Sequence, residues 1–329
     1  MIRIAQIIGH PAVNGGTTAF VRLINALKKY ENIESDAYVV NNGGRSETTC
    51  KELTEGDGVP FLGYYDYPEF AKRIAKHYDL VIQHRLYGTR PLKECKAVYV
   101  VVNHTVQGPK ELKKFKLADA FVPVSAHLDK TASYPPNIPR FLIRNGIEPM
   151  ENIEPHHKRA RGRIITGRCH RLYGGKFLTS SVPPMSKVPG HKHYIIGKHT
   201  VQKRGAVQFL GEITDTEKKM KTIASWDAYF YDTNLAEGTS MAVLEALSAG
   251  LPVICKDRGG TNEIIEHKRN GWFFASYPEA VKIIKKLRDN PSLLYKLRAN
   301  ARKSVQEELH VRIMVKKYVE MIRKLGLDP

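Results

Sequence analysis

The chain has 329 residues, 42% of them hydrophobic and 26% charged, the composition of a folded chain of about two domains. Its longest apolar strand-like run, 97–102, falls far short of the roughly 20 residues a membrane helix needs, which argues against a bilayer-spanning segment. With 52 Lys and Arg against 33 Asp and Glu the formal net charge is +19, which points to an anionic partner.

The N-terminus, MIRIAQIIGH, opens directly on a strand pattern and carries none of the regions of a signal peptide. A cytoplasmic location is expected, with peripheral attachment to a membrane as the alternative. From there, short β-branched runs alternate with helical patterns, the signature of parallel α/β architecture. In the first half the expected strands are 2–8, 35–40, 80–83, 97–102, 120–124 and 140–143, with a weaker one at 59–62. Helices are expected at 17–30, 68–77 and 109–117. A stretch rich in Pro, His and charge, 145–161, has no periodicity and reads as a linker. The pattern then restarts near 160. Strands are expected at 163–166, 194–196, 207–210, 228–231 and 252–255, and helices at 216–224, 240–249, 278–289, 291–308 and 311–325. The domains are therefore drawn as 1–150 and 151–329, with the last helix a candidate to return to the first. Ligands of open α/β sheets bind at the carboxyl ends of the strands.

Charge is unevenly spread. Residues 1–150 carry 20 Lys/Arg and 15 Asp/Glu, and residues 151–329 carry 32 and 18. From Pro155 to Gly211 there are 12 Lys/Arg and no acid; Lys158, Arg159, Arg161 and Arg171 lie in this run. A phosphate-facing surface is expected here, against the alternative of a solvated basic face. The four cysteines, Cys50, Cys95, Cys169 and Cys255, are scattered without a C-x-x-C and read as reduced thiols. His156, His157, His191, His193 and His199 sit in basic surroundings without Cys or carboxylate neighbours, so no metal is expected.

Two constellations carry chemistry. Gly15 and Gly16 lie between the first strand and its helix, where glycine lets backbone approach a ligand and the helix start attracts anions. The full G-x-G-x-x-G fingerprint is absent there, which disfavours a dinucleotide cofactor site. The second is the run from Ala236 to Ile254. A strand ends near Asp232, a loop carries Glu237 and Gly238, and a helix opens at about Ser240. The amides of Thr239, Ser240 and Met241 then point along the positive end of a helix dipole, where a diphosphate sits well. Glu237 is at the mouth and Glu245 about one and a half turns inside.

Glu237 and Glu245, seven residues apart in the sense of an E-x7-E spacing, are followed by Ala246-Leu247-Ser248-Ala249-Gly250-Leu251-Pro252-Val253-Ile254, Gly259-Gly260-Thr261-Asn262-Glu263 and Asn270-Gly271-Trp272-Phe273-Phe274. This run resembles the retaining family-4 glycosyltransferases. The resemblance implies a GT-B fold: two Rossmann-like domains facing each other across a cleft, the first on the acceptor side and the second holding a nucleotide-sugar donor. It implies that Glu245 holds the donor ribose, that Glu237 and His104 lie at the reacting face, and that Gly15, Gly16, Gly238, Thr239, Ser240 and Met241 flank the diphosphate. Arg168 would neutralise the leaving phosphates with Lys176, whose spacing from Arg168 is longer than the family pattern, or with Arg171 in its place. The chain has no Asp-x-Asp, so transfer is expected without metal or other cofactor. The charge makes a polyanionic acceptor the expectation, with nucleic acid bearing a hydroxylated base narrowly ahead of a lipid at an anionic membrane. A soluble glycan acceptor and a non-catalytic nucleotide-sugar or nucleic-acid binding protein are the alternatives.

Overall fold

The computed structural model describes residues 1–8, 15–40, 61–85, 90–93, 95–104, 112–151, 162–169, 188–197, 203–233 and 237–329. The chain divides into two compact units. Unit 1 is Met1–Gly146 with Glu237–Met241 and Val311–Pro329, and unit 2 is Ile147–Ala236 with Ala242–His310.

Unit 1 is built on a six-stranded sheet of β1 (Ile2–Ile8), β2 (Ile33–Val40), β3 (Phe61–Tyr65), β4 (Leu80–Arg85), β5 (Val98–Asn103) and β6 (Ala120–Pro123), in the order β3-β2-β1-β4-β5-β6. All pairings are parallel. The order reverses at β1, so the carboxyl ends of β1 and β4 flank a topological switch point. Both faces are covered, which is why these strands read as nearly continuous apolar runs. One face packs Ile2, Ile4, Leu80, Ile82, Val100 and Val102 against α1 (Gly15–Leu27) and the C-terminal helix; the other packs Ala5, Ile7, Val81, Tyr99 and Val101 under Phe70, Leu112 and Phe115. Asp79 and Asp119, each one residue ahead of a strand, accept the backbone N–H of the second residue of a neighbouring strand: Arg3 N at 2.8 Å and Tyr99 N at 2.7 Å.

Unit 2 has seven strands: β7 (Ile164–Cys169), β8 (His191–Ile196), β9 (Lys203–Arg204), β10 (Val207–Gly211), β11 (Ala228–Tyr231), β12 (Val253–Cys255) and β13 (Gly271–Phe273), in the order β13-β12-β11-β7-β8-β10-β9. Only the short β9 is antiparallel. The same device recurs, with Asp227 ahead of β11 accepting Ile165 N at 2.6 Å. Helices α3 (Thr216–Ala224), α4 (Met241–Ser248), α5 (Tyr277–Asp289) and α6 (Pro291–Glu307) belong to this unit apart from Met241. The last helix, α7 (Val311–Lys324), belongs to unit 1.

Several sequence expectations need correction. The segment 140–143 is not a strand. It runs beside β6, with Phe121 N donating to Pro139 O, Phe141 N to Phe121 O and Ile143 N to Pro123 O, but Pro123 has no N–H to donate in return, so only an isolated bridge at Arg140 forms. The helix expected at 109–117 is a single 3-10 turn, Leu112–Lys114, within the described residues; three lysines within four residues of it (Lys113, Lys114, Lys116) repel along any longer helix. The helix expected at 68–77 is broken into Tyr67–Glu69, a π segment Phe70–Ile74 and a 3-10 turn Ala75–His77. The five-residue step lets Phe70 and Ala75 share the buried side. A short helix over Ala126–Thr131, here α2 in position though the shortest of the set, was not expected; Ser125 caps it by accepting Leu128 N at 3.1 Å. Strands β9 and β13 were not expected either. They are two and three residues long, below what alternation can reveal.

Candidate active site

In unit 2 the carboxyl end of β7 places two consecutive side chains on opposite faces of the sheet. Arg168 is only 4% exposed, and among the described residues it makes no hydrogen bond or ion pair. Burial lowers the pKa of its guanidinium and the nearby Asp232 carboxylate pulls it back up, so the group stays charged. Asp232, after β11, is itself occupied: Lys256 Nζ lies 3.1 Å from Oδ1, and Tyr277 donates its hydroxyl to Oδ2 at 2.5 Å. Lys256 also lies over the Tyr277 ring. Asp232 thus has two committed partners of its own, and Arg168 is not one of them.

The next residue, Cys169, faces Glu245 and Lys219. Glu245 on α4 is 4% exposed, and Lys219 on α3 donates to its Oε1 at 2.9 Å. A buried carboxylate without such a partner bears a large desolvation cost. Burial, and then the charge of Glu245, pushes the Cys169 thiol up to about 12, which leaves it protonated and inert. Gly167, just before this pair, has no room for a side chain: a Cβ there would meet the Trp226 ring at 2.3 Å.

In unit 1 the loop Glu237–Met241 is held by two hydrogen bonds of its own unit. Thr239 Oγ1 donates to Val124 O at 2.5 Å, and Asn145 Nδ2 donates to Thr239 O at 3.4 Å. A Cβ built on Gly238 would fall 2.8 Å from Leu128 Cδ1 and Val124 Cγ2 and 3.0 Å from His104 O. Glycine is therefore required beside the backbone of His104, and Glu237, the residue before it, is partly buried. Thr239 and Ser240 are buried ahead of α4, and Met241 is its first residue. Gly15 and Gly16 open α1.

His104 follows β5 and is partly buried. Its Nε2 lies 3.0 Å from Nδ1 of His84 at the end of β4, with the ring planes 14° apart. His84 is fully buried. Its Nε2 lies 3.0 Å from Gln6 Oε1, and Gln6 Nε2 donates to Ser35 Oγ at 3.0 Å. Burial lowers the pKa of His104 to about 4, and burial with the neighbouring His104 holds His84 well below the usual histidine range. Both rings are neutral at neutral pH.

The structure thus places Gly238, next to Glu237, against the His104 carbonyl in unit 1, and brings Arg168 and Glu245 to the end of the sheet in unit 2. Lys176, Lys158, Arg159, Arg161 and Arg171 lie outside the described residues, as do His156, His157, His199 and Cys50. His191 and His193 are buried, and both rings are within hydrogen-bonding distance of Thr166 Oγ1, at 2.8 and 2.7 Å. Sequence reading missed Gln6, Ser35, His84, Lys219, Asp232, Lys256 and Tyr277. Gln6 did leave a signal, being a polar residue at a core-facing position of the otherwise apolar run Ala5–Ile8, whereas Ser35 and His84 sit among other polar residues of their strands.

Residues 192–304 match the family model for glycosyl transferases group 1. Glycosyltransferase 1 domain-containing protein 1 from Xenopus tropicalis is 35% identical over 74 residues, 22% of this chain and 21% of that protein. The match therefore spans about a fifth of that relative. Among solved structures, Anabaena Alr3699/HepE in complex with UDP aligns with a TM-score of 0.75 at 15% identity, over 98% of this chain and 100% of that one. The fold is GT-B. The pneumococcal O-GlcNAc transferase GtfA in complex with UDP and GlcNAc aligns with a TM-score of 0.74 at 11% identity, over 99% of both chains. A glycosyltransferase from Rickettsia africae aligns with a TM-score of 0.73 at 16% identity, over 99% of this chain and 98% of that one. At these identities the likeness establishes the architecture, and within this GT-B chain the family match falls on the unit that carries Glu245 and Lys219.

Proposed function

We propose that the chain is a retaining glycosyltransferase that takes a sugar from a nucleotide-sugar donor. The observation that carries this reading is Arg168: a buried guanidinium at the carboxyl end of a parallel sheet, charged and without an ion-pair partner among the described residues. Such a group is poised for an anion supplied from outside. A nucleoside diphosphate leaving a glycosyl carbon is that anion, and fixed positive charge in a water-poor site stabilises the charge as it develops. Glu245, paired with Lys219, accepts hydrogen bonds from the ribose hydroxyls. The family match over 192–304 and the UDP and UDP-glucose complexes of the Anabaena neighbour support the same donor class.

In unit 1, His104 and Glu237 handle the sugar at the reacting centre. His104, neutral at neutral pH, meets hydroxyls rather than phosphates. Because protein cations meet the leaving diphosphate, transfer proceeds without a metal or other cofactor, and a chelator leaves turnover unchanged. The acceptor is a polyanion. The acid-free run of 12 Lys/Arg from Pro155 to Gly211 favours nucleic acid carrying a hydroxylated base over a lipid in an anionic membrane.

The test is direct. Calorimetry with UDP and release of UDP from UDP-sugars measure the donor half, with Arg168→Ala as the control that weakens both. Labelled donor is then offered to hydroxymethylated DNA and to anionic vesicles side by side. Transfer to DNA that falls steeply with salt supports the nucleic-acid acceptor. Transfer to the vesicles alone overturns it, and absence of UDP binding overturns the donor assignment.

A further inference from the structure

On the helix-covered face of the unit 1 sheet a row of polar side chains crosses four positions in succession: Ser35 on β2, Gln6 on β1, His84 on β4 and His104 after β5. The row lies in an otherwise apolar layer, with Ile8 beside Gln6 on the same strand and Phe20 of α1 set edge-on against the His84 ring at 5.1 Å. A row like this has to be satisfied in a consistent direction.

The direction follows from one end. Gln6 Nε2 donates to Ser35 Oγ, so the oxygen Gln6 Oε1 is turned to His84 and can only accept. His84 Nε2 must then carry the proton. In a neutral imidazole the other nitrogen is a lone pair, so His84 Nδ1 accepts, and His104 Nε2 must be the donor. The proton of His104 is thereby committed inward. Its Nδ1 keeps a lone pair, and among the described residues no hydrogen bond reaches that atom.

We propose that His84 is the positioning residue of the unit 1 site: the bond order Ser35–Gln6–His84–His104 holds His104 as the Nε2–H tautomer, so that its Nδ1 is offered as an acceptor for a hydroxyl of the sugar being transferred. The tautomer stands on the hydrogen-bond order and on the neutrality of the two buried rings; the identity of the hydroxyl rests on the glycosyltransferase reading. Burial keeps both rings neutral, so the arrangement persists across the physiological pH range. His104 then acts as a hydrogen-bond acceptor rather than a cation, and it selects for a donated O–H at that point.

The experiment uses the full chain with 15N-labelled histidine and multiple-bond NMR at neutral pH, which reads the protonated nitrogen of each ring. The chain has 13 histidines, so His104→Gln identifies the His104 signals. Protonated Nε2 on His104 is expected. His84→Phe, which keeps a ring but removes the acceptor, should leave His104 as a mixture of tautomers. His84→Asn, whose Oδ1 takes the place of Nδ1, should restore the Nε2–H form. If His84→Phe fails to fold, Gln6→Leu serves instead: it frees His84 to change tautomer and should also mix the His104 signals. With a UDP-sugar that the wild type turns over, His84→Phe should lower kcat about tenfold and leave KM within about twofold, with His84→Asn recovering most of the loss. Protonated Nδ1 on His104 in the wild type overturns the proposal, and so does a His104 tautomer indifferent to both His84→Phe and Gln6→Leu. Nε2–H in the wild type with no UDP-sugar bound or turned over leaves the tautomer assignment standing and overturns the glycosyltransferase reading instead.

Discussion

The two sheet ends are built alike and charged differently. Unit 1 presents a neutral row, with His84 and His104 both kept from protonating by burial. Unit 2 presents full charges, with Arg168, the Lys219–Glu245 pair and the Lys256–Asp232 pair all at the ends of β7, β11 and β12 or the helices over them. In unit 2 the cost of desolvation is offset by opposite charges at 2.9 and 3.1 Å, whereas the histidines of unit 1 face one another and an amide. The same α/β scaffold therefore supplies a place for an anion on one sheet and a place for hydroxyls on the other, and partner choice within each buried cluster decides which.

The contrast is broken most severely at Arg168. Arg168→Ala should lower turnover by about 10²–10³, the usual loss when a preorganised charge partner of a developing anion is removed, and UDP binding by calorimetry should fall with it. Turnover within twofold of wild type would remove unit 2's claim to the phosphate. Next is Gly238→Ala, which forces a methyl against Val124, Leu128 and the His104 carbonyl. A loss of about 1–3 kcal/mol in denaturant unfolding is expected. A smaller cost attends Lys219→Met. It leaves Glu245 buried without its cation, and because Lys219 is partly exposed the penalty should be about 1–2 kcal/mol, below that of a fully buried pair. Adding Glu245→Gln to Lys219→Met should restore much of that stability while UDP affinity stays low.

The smallest effect is on pH dependence. His104 has a folded-state pKa of about 4, below the ordinary value of 6.5, so the unfolded chain binds more protons between those two pH values. Stability should therefore fall as pH drops from about 6.5 toward 4 and be flat for this group above that window. His104→Gln should make the slope in urea titrations shallower, with the remainder coming from other buried histidines such as His84. An unchanged slope would show that His104 is not desolvated in the folded chain.

Much of the sheet architecture was legible because parallel strands buried on both faces leave long apolar runs, as in Ala228–Tyr231, which the sequence pattern places to the residue. Helices with strong caps were equally clear: Asp215 ahead of α3 and Ser276 ahead of α5 each accept a backbone N–H three residues on. The failures have local causes. Segment 140–143 has the apolar content of a strand but pairs on one side only, and 67–77 has helical periodicity interrupted by a π step that composition does not encode. In the site, Glu245 and Arg168 could be singled out from motif and strand end. Their neighbours Lys219 and Asp232 could not, because pairing across 26 residues, or between the ends of adjacent strands, is set by the fold and leaves no spacing to read. His84 stood in plain view as a polar residue in LVIQHR, but only the register of β1, β4 and β5 shows what it faces.

The return of α7 to unit 1 bears on how the chain is made. Seven of the 21 buried residues in the cluster on one face of the unit 1 sheet come from α7: Val311, Met314, Val315, Tyr318, Val319, Met321 and Ile322. They are the last part of that layer to leave the ribosome. Until they emerge, Ile2, Ile4, Leu80 and Val100 have no complete cover, while everything unit 2 needs has already been synthesised by His310. The half of the protein that is translated first is therefore the half that finishes folding last, and its exposed apolar face is what a nascent-chain chaperone would have to shield during that wait.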